Sequence, residues 1–406
     1  MTRAFRKLIV FVFMLSSIFG FRPSARSAQT QSFVDGNTAF ALDLYSRLKA
    51  APGNLFFSPY SISTALAMTY AGARGETEKQ MARVFHFDKD QHQVHASFGE
   101  LQHQLNEASQ QQGIELSIAN SLWAQKGHPF LAEFVETAKR EYQANINQAD
   151  FKTAAEAARG EINDWVAQKT KGKIQNILPS GSLDGMTRLV LANAIYFKGV
   201  WATPYDKDQT SVQPFHVSSA SKVDVPLMHH LDTVKYMENT DVQALEVPYK
   251  SNGLSMVILL PRQINGFGAL ENELAPALLS RSLSQMKQQK VEIFLPRFKL
   301  ESTFELNDTL SRMGMPDAFG ERADFSGMDG IKFLYISGVF HKAWGEVNEV
   351  GTEAAAATAV AMVGRAAMNP PPPTPVFRAD HPFIFLIRDT RSGSVLFVGR
   401  LANPVS

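Results

Sequence analysis

EVGTEAAAATAVAMVGRAAMNPPPP, Glu349 to Pro373, is the most biased stretch of this chain. It joins a glycine, a run of very small residues and a lone arginine, Arg365, and it closes on a polyproline brake. Local rules make Thr352 to Met362 a surface helix, with Thr352 as N-cap, Glu353 in the first turn and alanines behind. The segments on either side decide whether that helix is real.

Upstream lies GVFHKAW, where His341 sits amid apolar residues, as a satisfied core histidine does. Downstream, His381 to Ile387 and Val395 to Gly399 flank a turn containing Ser392-Gly393, the pattern of a hairpin of buried strands. Further upstream, Leu189 to Phe197 (LVLANAIYF) is a nearly unbroken apolar run, which suits a strand covered on both faces. Its one polar residue, Asn193, either satisfies neighbouring backbone groups or belongs to a buried polar cluster. Leu254 to Leu260 is a second apolar strand, stopped by Pro261. Val291 to Leu300 is a third, with Pro296 implying an edge or a bend. A helix capped by Ser302 or Thr303 and closed by Gly314 is expected next.

Nearer the start, Asn54 to Phe57 makes a short buried strand, and Ser58 caps a helix whose first residue is Pro59. Ile62, Leu66 and Tyr70 line its buried face, and Gly72 ends it. Before it, Phe33, Phe40, Leu44 and Leu48 recur at helical spacing. His86 to Gly113 is polar with helical tendency; His92, His95 and His103 lack a third ligand at useful spacing, so a solvated face is expected and no metal site. Trp123 follows in an apolar stretch, and Ala154 to Thr170 makes another helix with Trp165 on its buried side. Strands and helices alternate irregularly, which implies an α+β fold.

The 406 residues, 45% of them hydrophobic, can build one large core without internal boundaries. A net charge of +1 with scattered Lys and Arg gives no reason to expect nucleic acid. The absence of cysteine excludes cysteine proteases, zinc ribbons, disulfide oxidoreductases and cysteine-linked lipid anchoring. Arg3, Arg6 and Lys7 followed by the apolar run Leu8 to Phe21 form a signal-peptide pattern, with Ala25-Arg26-Ser27 before the cleavage point. Residues 1–27 are therefore expected to be removed, leaving a secreted chain (extracellular or periplasmic) that starts near Ala28; an uncleaved anchor is the alternative. There is no nucleophile elbow, no H-E-x-x-H, no Walker loop and no dinucleotide fingerprint, so neither a cofactor nor a catalytic site is expected.

Several long segments, in this order, resemble the signature segments of serpins: NLFFSPYSISTALAMTYAGARGET, LANAIYFKGVW, VEIFLPRFKLESTFELNDTLSRMGM, FHKAWGEVNEVGTEAAAATA and FRADHPFIFLIRD. The resemblance covers essentially the whole mature chain. It implies one domain over residues 28–406, with a large central, mostly antiparallel sheet, further sheets, surrounding helices and an exposed reactive loop at about 349–373. That loop is bait for a protease: once cleaved, it enters the main sheet as an extra strand and drags the acylated protease along.

On those terms the hinge comprises Glu349, Gly351, Thr352, Glu353, Ala354, Ala355, Ala356 and Ala357. Gly351 supplies backbone freedom, and Thr352 is small and β-branched as an entering residue should be. Strand alternation puts Thr352, Ala354, Ala356, Thr358, Val360 and Met362 on the inserting face and Glu353 on the other. From Thr352 to Arg365 an extended chain spans on the order of 45 Å. The pattern places the reactive bond fourteen residues after Gly351, between Arg365 and Ala366. Arginine there suits trypsin-like serine proteases, whose specificity pocket ends in an acid.

The resemblance also implies a shutter and breach made by Ser58, Ser61, Asn193, His341 and Trp201. The chain departs from the pattern between Arg365 and Phe377, where it is a few residues longer, with Pro370 to Pro373 in the excess; cleavage after Met362 or Met368 stays open. An inhibitor of Arg-directed cysteine proteases and a non-inhibitory binding or chaperone protein are the other functions compatible with the resemblance. The chain is expected to be monomeric, not to associate with a membrane once its leader is removed, and not to respond to heparin.

Overall fold

The structure is a computed structural model and describes residues 25–88, 90–109, 113–250, 253–350 and 373–405. In chain order, α1 (Ala25–Leu48), β1 (Leu55–Phe57), α2 (Pro59–Tyr70), α3 (Gly75–Val84) and α4 (Gln91–Ser109) come first. They are followed by β2 (Ile114–Gln125), α5 (Ala132–Tyr142), β3 (Ile146–Ala149), α6 (Phe151–Lys169) and β4 (Leu189–Gly199). The middle is mostly strand: β5 (Ser211–His216), β6 (Lys222–Glu238), β7 (Val242–Pro248) and β8 (Leu254–Pro261). After α7 (Phe267–Glu273) and α8 (Pro276–Gln285) come β9 (Lys287–Pro296), β10 (Phe298–Glu305), α9 (Asn307–Met313), the single-turn α10 (Ser326–Asp329) and β11 (Ile336–Val347). β12 (Val376–Arg378), β13 (Phe383–Asp389) and β14 (Val395–Leu401) close the chain.

Two sheets organise these elements. One runs β1-β14-β13-β8-β7-β6-β9-β12, with β5 added to β6; every pairing in it is antiparallel except β9 with β12. The other has the order β10-β11-β4-β2-β3, and here β11 lies parallel to β4 and β2 parallel to β3. This is the α+β arrangement expected.

β4 shows why the five-stranded sheet sits where it does. Its alternate residues Leu189, Leu191, Ile195 and Phe197 enter the main core, while Val190, Ala192, Ala194 and Tyr196 enter a second core roofed by α6. A strand buried on both faces needs apolar residues at nearly every position. Beneath it lies α2, all twelve of whose residues are buried, with the hydroxyls of Ser61, Ser63, Thr64 and Thr69 each donating a hydrogen bond inside the core. Its start follows the local rules: Pro59 occupies the first turn, and the Ser58 side chain accepts from Ser61 N at 3.1 Å.

Three local expectations fail. Ser302 and Thr303 do not cap a helix; they lie within β10, opposite Ala343 and Lys342 of β11, and the helix starts only at Asn307. Pro296 ends β9 in one sheet, and Phe298 begins β10 in the other, so the proline marks a change of sheet. In α4, His95 is not solvated: it is buried, with Nδ1 2.5 Å from the Tyr142 hydroxyl of α5, and burial pushes its imidazole down to about 4.

Candidate functional site

The parallel β4–β11 pair lies inside the five-stranded sheet, flanked by β10 on one side and β2 on the other. Register partners run from Ile336 with Leu189 to Gly345 with Phe197. A strand placed between two parallel neighbours and running the other way is antiparallel to both, the more favourable ladder. A chain leaving β11 at Val347 and turning back has that direction.

Four of the residues singled out in the sequence meet at the middle of this pair. Asn193 and His341 are register partners, and with Ser58 and Ser61 of the α2 start they are fully buried. The Ser58 backbone N–H donates to His341 Nε2 at 3.1 Å, so that nitrogen is the acceptor and the ring proton sits on Nδ1. Nδ1–H in turn donates to Asn193 Oδ1. The Asn193 amide donates to Ser61 Oγ at 2.6 Å, to the Ser61 carbonyl at 3.0 Å, and to Asn120 Oδ1. Ser61 Oγ also donates to Asn120 Oδ1 at 3.0 Å. The network has no charge: burial pushes His341 down to about 3. It ties α2, β2, β4 and β11 together, so β4 and β11 cannot part without breaking it.

Trp201 lies at the end of β4 from which the loop departs. It is buried and stacks on Tyr249 with ring centres 4.7 Å apart. Its Nε1 donates to the Asn348 carbonyl at 2.9 Å and its backbone N to the Val350 carbonyl at 3.3 Å; Tyr205 N donates to the Glu349 carbonyl at 2.8 Å. The root of the loop is thus already laid across the mouth of the β4–β11 pair.

Glu349, read from the sequence as part of the hinge, is an anchor here. Its carboxylate is buried and accepts from Thr210 Oγ1 at 2.6 Å and Arg297 Nε at 2.5 Å. Burial alone would raise its pKa, but the bonds from Arg297 and Thr210 outweigh that and lower it. Gly351, Thr352, Glu353, Ala354, Ala355, Ala356, Ala357, Arg365 and Ala366 lie outside the described residues, as do Met362 and Met368. The chain resumes at the opposite sheet, where the Pro375 carbonyl accepts from Glu292 N at 2.9 Å and β12 pairs with β9.

Asn120, Thr210, Arg297 and Tyr205 complete the site, and none was singled out by its sequence neighbourhood. Asn120 alone carried a signal: like Asn193, it is an amide set among small and apolar residues of a strand. Among the described residues no group of three or more His, Asp or Glu is placed to hold a metal ion.

A serpin family model, described as serine protease inhibitor, matches residues 35–404, and the chain belongs to that family. It is 39% identical over 393 residues to Serpin B3 of Homo sapiens, covering 92% of this chain and 100% of that one. It is 42% identical over 380 residues to the leukocyte elastase inhibitor of Sus scrofa, covering 91% and 98%. Among solved structures, that of uncleaved ovalbumin superposes with a TM-score of 0.82 at 32% identity, covering 92% of this chain and all of that one. The protein is a serpin of the protease-inhibitor family and not an enzyme.

Proposed function

We propose that this serpin is exported and inhibits trypsin-like, arginine-specific serine endopeptidases as a monomeric, single-use suicide substrate. The protease's serine Oγ attacks the Arg365 carbonyl carbon. The Arg365–Ala366 bond breaks, the Ala366 amine leaves with a proton from the protease's own acid–base group, and an ester joins Arg365 to the serine. The freed loop then enters between β4 and β11. The protease is carried away before water can cleave the ester.

The observation that carries this is the loop root at Asn348–Val350, held by Trp201 and Tyr205 across the mouth of a parallel strand pair. Arginine specificity is supported by the position of Arg365 fourteen residues after Gly351, and export by Arg3, Arg6 and Lys7 before Leu8 to Phe21. The uninserted form is held by a kinetic barrier, of which the buried network is part.

Mixing the protein with trypsin tests this. A complex that survives denaturing electrophoresis is expected, with a released C-terminal peptide beginning at Ala366. Clean cleavage without a complex would exclude inhibition, and a peptide beginning elsewhere would move the bond.

A further inference from the structure

We infer that the cleft between α4, β2, β3 and α6 is a binding site for a neutral saccharide of one or two rings. It has a volume of about 370 Å³, toward the small end of the about 300–1,000 Å³ of ligand pockets. Such pockets are mostly apolar, but this one is walled by carboxamides: Gln102 and Asn106 of α4, Asn120 of β2, Gln143 and Asn145 between α5 and β3, and Asn147 of β3. Trp165 of α6 adds a half-buried aromatic ring.

One wall is set in advance. Tyr60 Oη donates to Gln102 Oε1 at 3.0 Å, Gln102 Nε2 donates to Asn106 Oδ1 at 3.0 Å, and Asn106 Nδ2 donates to Gln143 Oε1 at 3.3 Å. The other wall is free to bond a ligand: among the described residues, the side chains of Ser117, Asn145 and Asn147 make no hydrogen bond. Asn120 belongs to both the cleft and the buried network. Its Oδ1 accepts from Asn193 and from Ser61 Oγ, while its Nδ2 has no partner among the described residues.

The lining selects the ligand. A carboxamide sets an acceptor beside two donors, which matches neighbouring sugar hydroxyls that each donate and accept. An apolar ligand would strip water from these amides without replacing its bonds. A sulfated or phosphorylated ligand calls for several cations, whereas Lys169 is the one charged residue of the lining, its ammonium 5.8 Å from the Trp165 ring centre. The C–H face of a sugar ring can cover the apolar part of Trp165. A sugar hydroxyl accepting from Asn120 Nδ2 would hold the amide to which Asn193 and Ser61 donate, so occupancy stabilises the fold at β2 and β4.

Isothermal titration of the intact protein with maltose, cellobiose, lactose and N,N′-diacetylchitobiose, and with a sulfated heparin disaccharide, tests this. At least one neutral disaccharide should bind saturably at a single site, more tightly than the sulfated one. Asn145→Ala and Asn147→Ala should each weaken that binding roughly tenfold, as for loss of one hydrogen-bonding partner. The melting temperature of the free protein should not change in either variant, because neither side chain bonds within the fold. Sugars excluded from a protein surface stabilise it without saturating. The rise in melting temperature with the bound sugar should instead level off as the site fills, and should shrink in both variants. Absence of saturable binding by every neutral sugar would overturn the inference. So would preference for the sulfated disaccharide, which would make the cleft an anion site, and so would undiminished affinity in both variants, which would place the sugar elsewhere. No protease takes part, so the outcome is independent of the inhibitory mechanism proposed above.

Discussion

Asn193 of β4 and His341 of β11 face each other across the parallel strand pair at the centre of the five-stranded sheet, and a bond from His341 Nδ1–H to Asn193 Oδ1 joins them. Only the neutral ring suits both neighbours, because Nε2 must accept from Ser58 N. Protonation would set two N–H groups against each other in a fully buried site.

On the insertion proposed above, this network gates the β4–β11 pair, and the gate should be acid-sensitive. Burial holds His341 at about 3 in the fold, against about 6.5 in an unfolded chain. The unfolded state binds the proton first, so this stabilisation is complete above about pH 6.5 and is lost as pH falls from there toward 3. Between pH 7.5 and 5 the denaturant midpoint should drop, and inhibitory activity should decay faster on warming. His341→Gln, which can accept from Ser58 and donate to Asn193, should flatten that slope. Some slope should persist, because buried His95 is shifted in the same direction. An unchanged slope in the variant would remove His341 from the gate.

The loop root gives a second prediction. Arg297→Ala leaves the buried Glu349 carboxylate with the Thr210 hydroxyl but without its cation. Loss of a charged partner from a buried carboxylate costs about 1–3 kcal/mol. The variant should melt at a lower temperature and lose inhibitory activity sooner on storage. Adding Glu349→Gln should restore much of both by removing the orphaned charge. Calorimetry of the two variants checks this; no recovery in the double variant would mean that Arg297 acts by some other contact.

How much of the site could be read in the sequence follows from the range of the interactions. Ser58-Pro59 and the apolar run of β4 are local signals, and both are realised. Asn193 and His341 were each visible as polar residues in apolar company, but their pairing joins strands 148 residues apart and has no local signature. The same is true of Glu349 with Arg297 and Thr210. Ser302 and Thr303 misled because hydroxyl residues suit helix caps and strands alike, and pairing with β11 decided between them. β6 went unread because its polar side chains fall on both sets of alternate positions, Asp224, His230 and Asp232 on one and His229, Thr233 and Lys235 on the other, which hides the strand period. His95 looked solvated because Tyr142, which buries it, is on another helix.

Thr352→Arg tests the inserting register. On the insertion proposed above, Thr352 is the first side chain on the entering face, and an arginine there would have to be buried without a partner. Insertion should slow enough for water to release the protease. Denaturing electrophoresis with trypsin should then show cleaved serpin in place of complex. Glu353→Arg, on the opposite face, should leave complex formation nearly intact. Equal effects of the two changes would contradict the alternation.

Arg365 is the only basic residue between Glu349 and Pro373. A trypsin-like pocket therefore has a single bond to take in this segment, whereas Met362 and Met368 suit only proteases with apolar pockets. Arg365→Ala should lower the rate of trypsin inhibition at least about a thousandfold, since a buried acid in the protease is left without its cation. The change leaves Thr352 to Met362, β4, β11 and the buried network untouched, so insertion itself should survive. A protease that accepts alanine or methionine should still cleave the variant's loop and raise its melting temperature well above that of the intact protein. Bait and trap would then be separable functions of one segment. Persistent trypsin inhibition by the variant would place the reactive bond elsewhere.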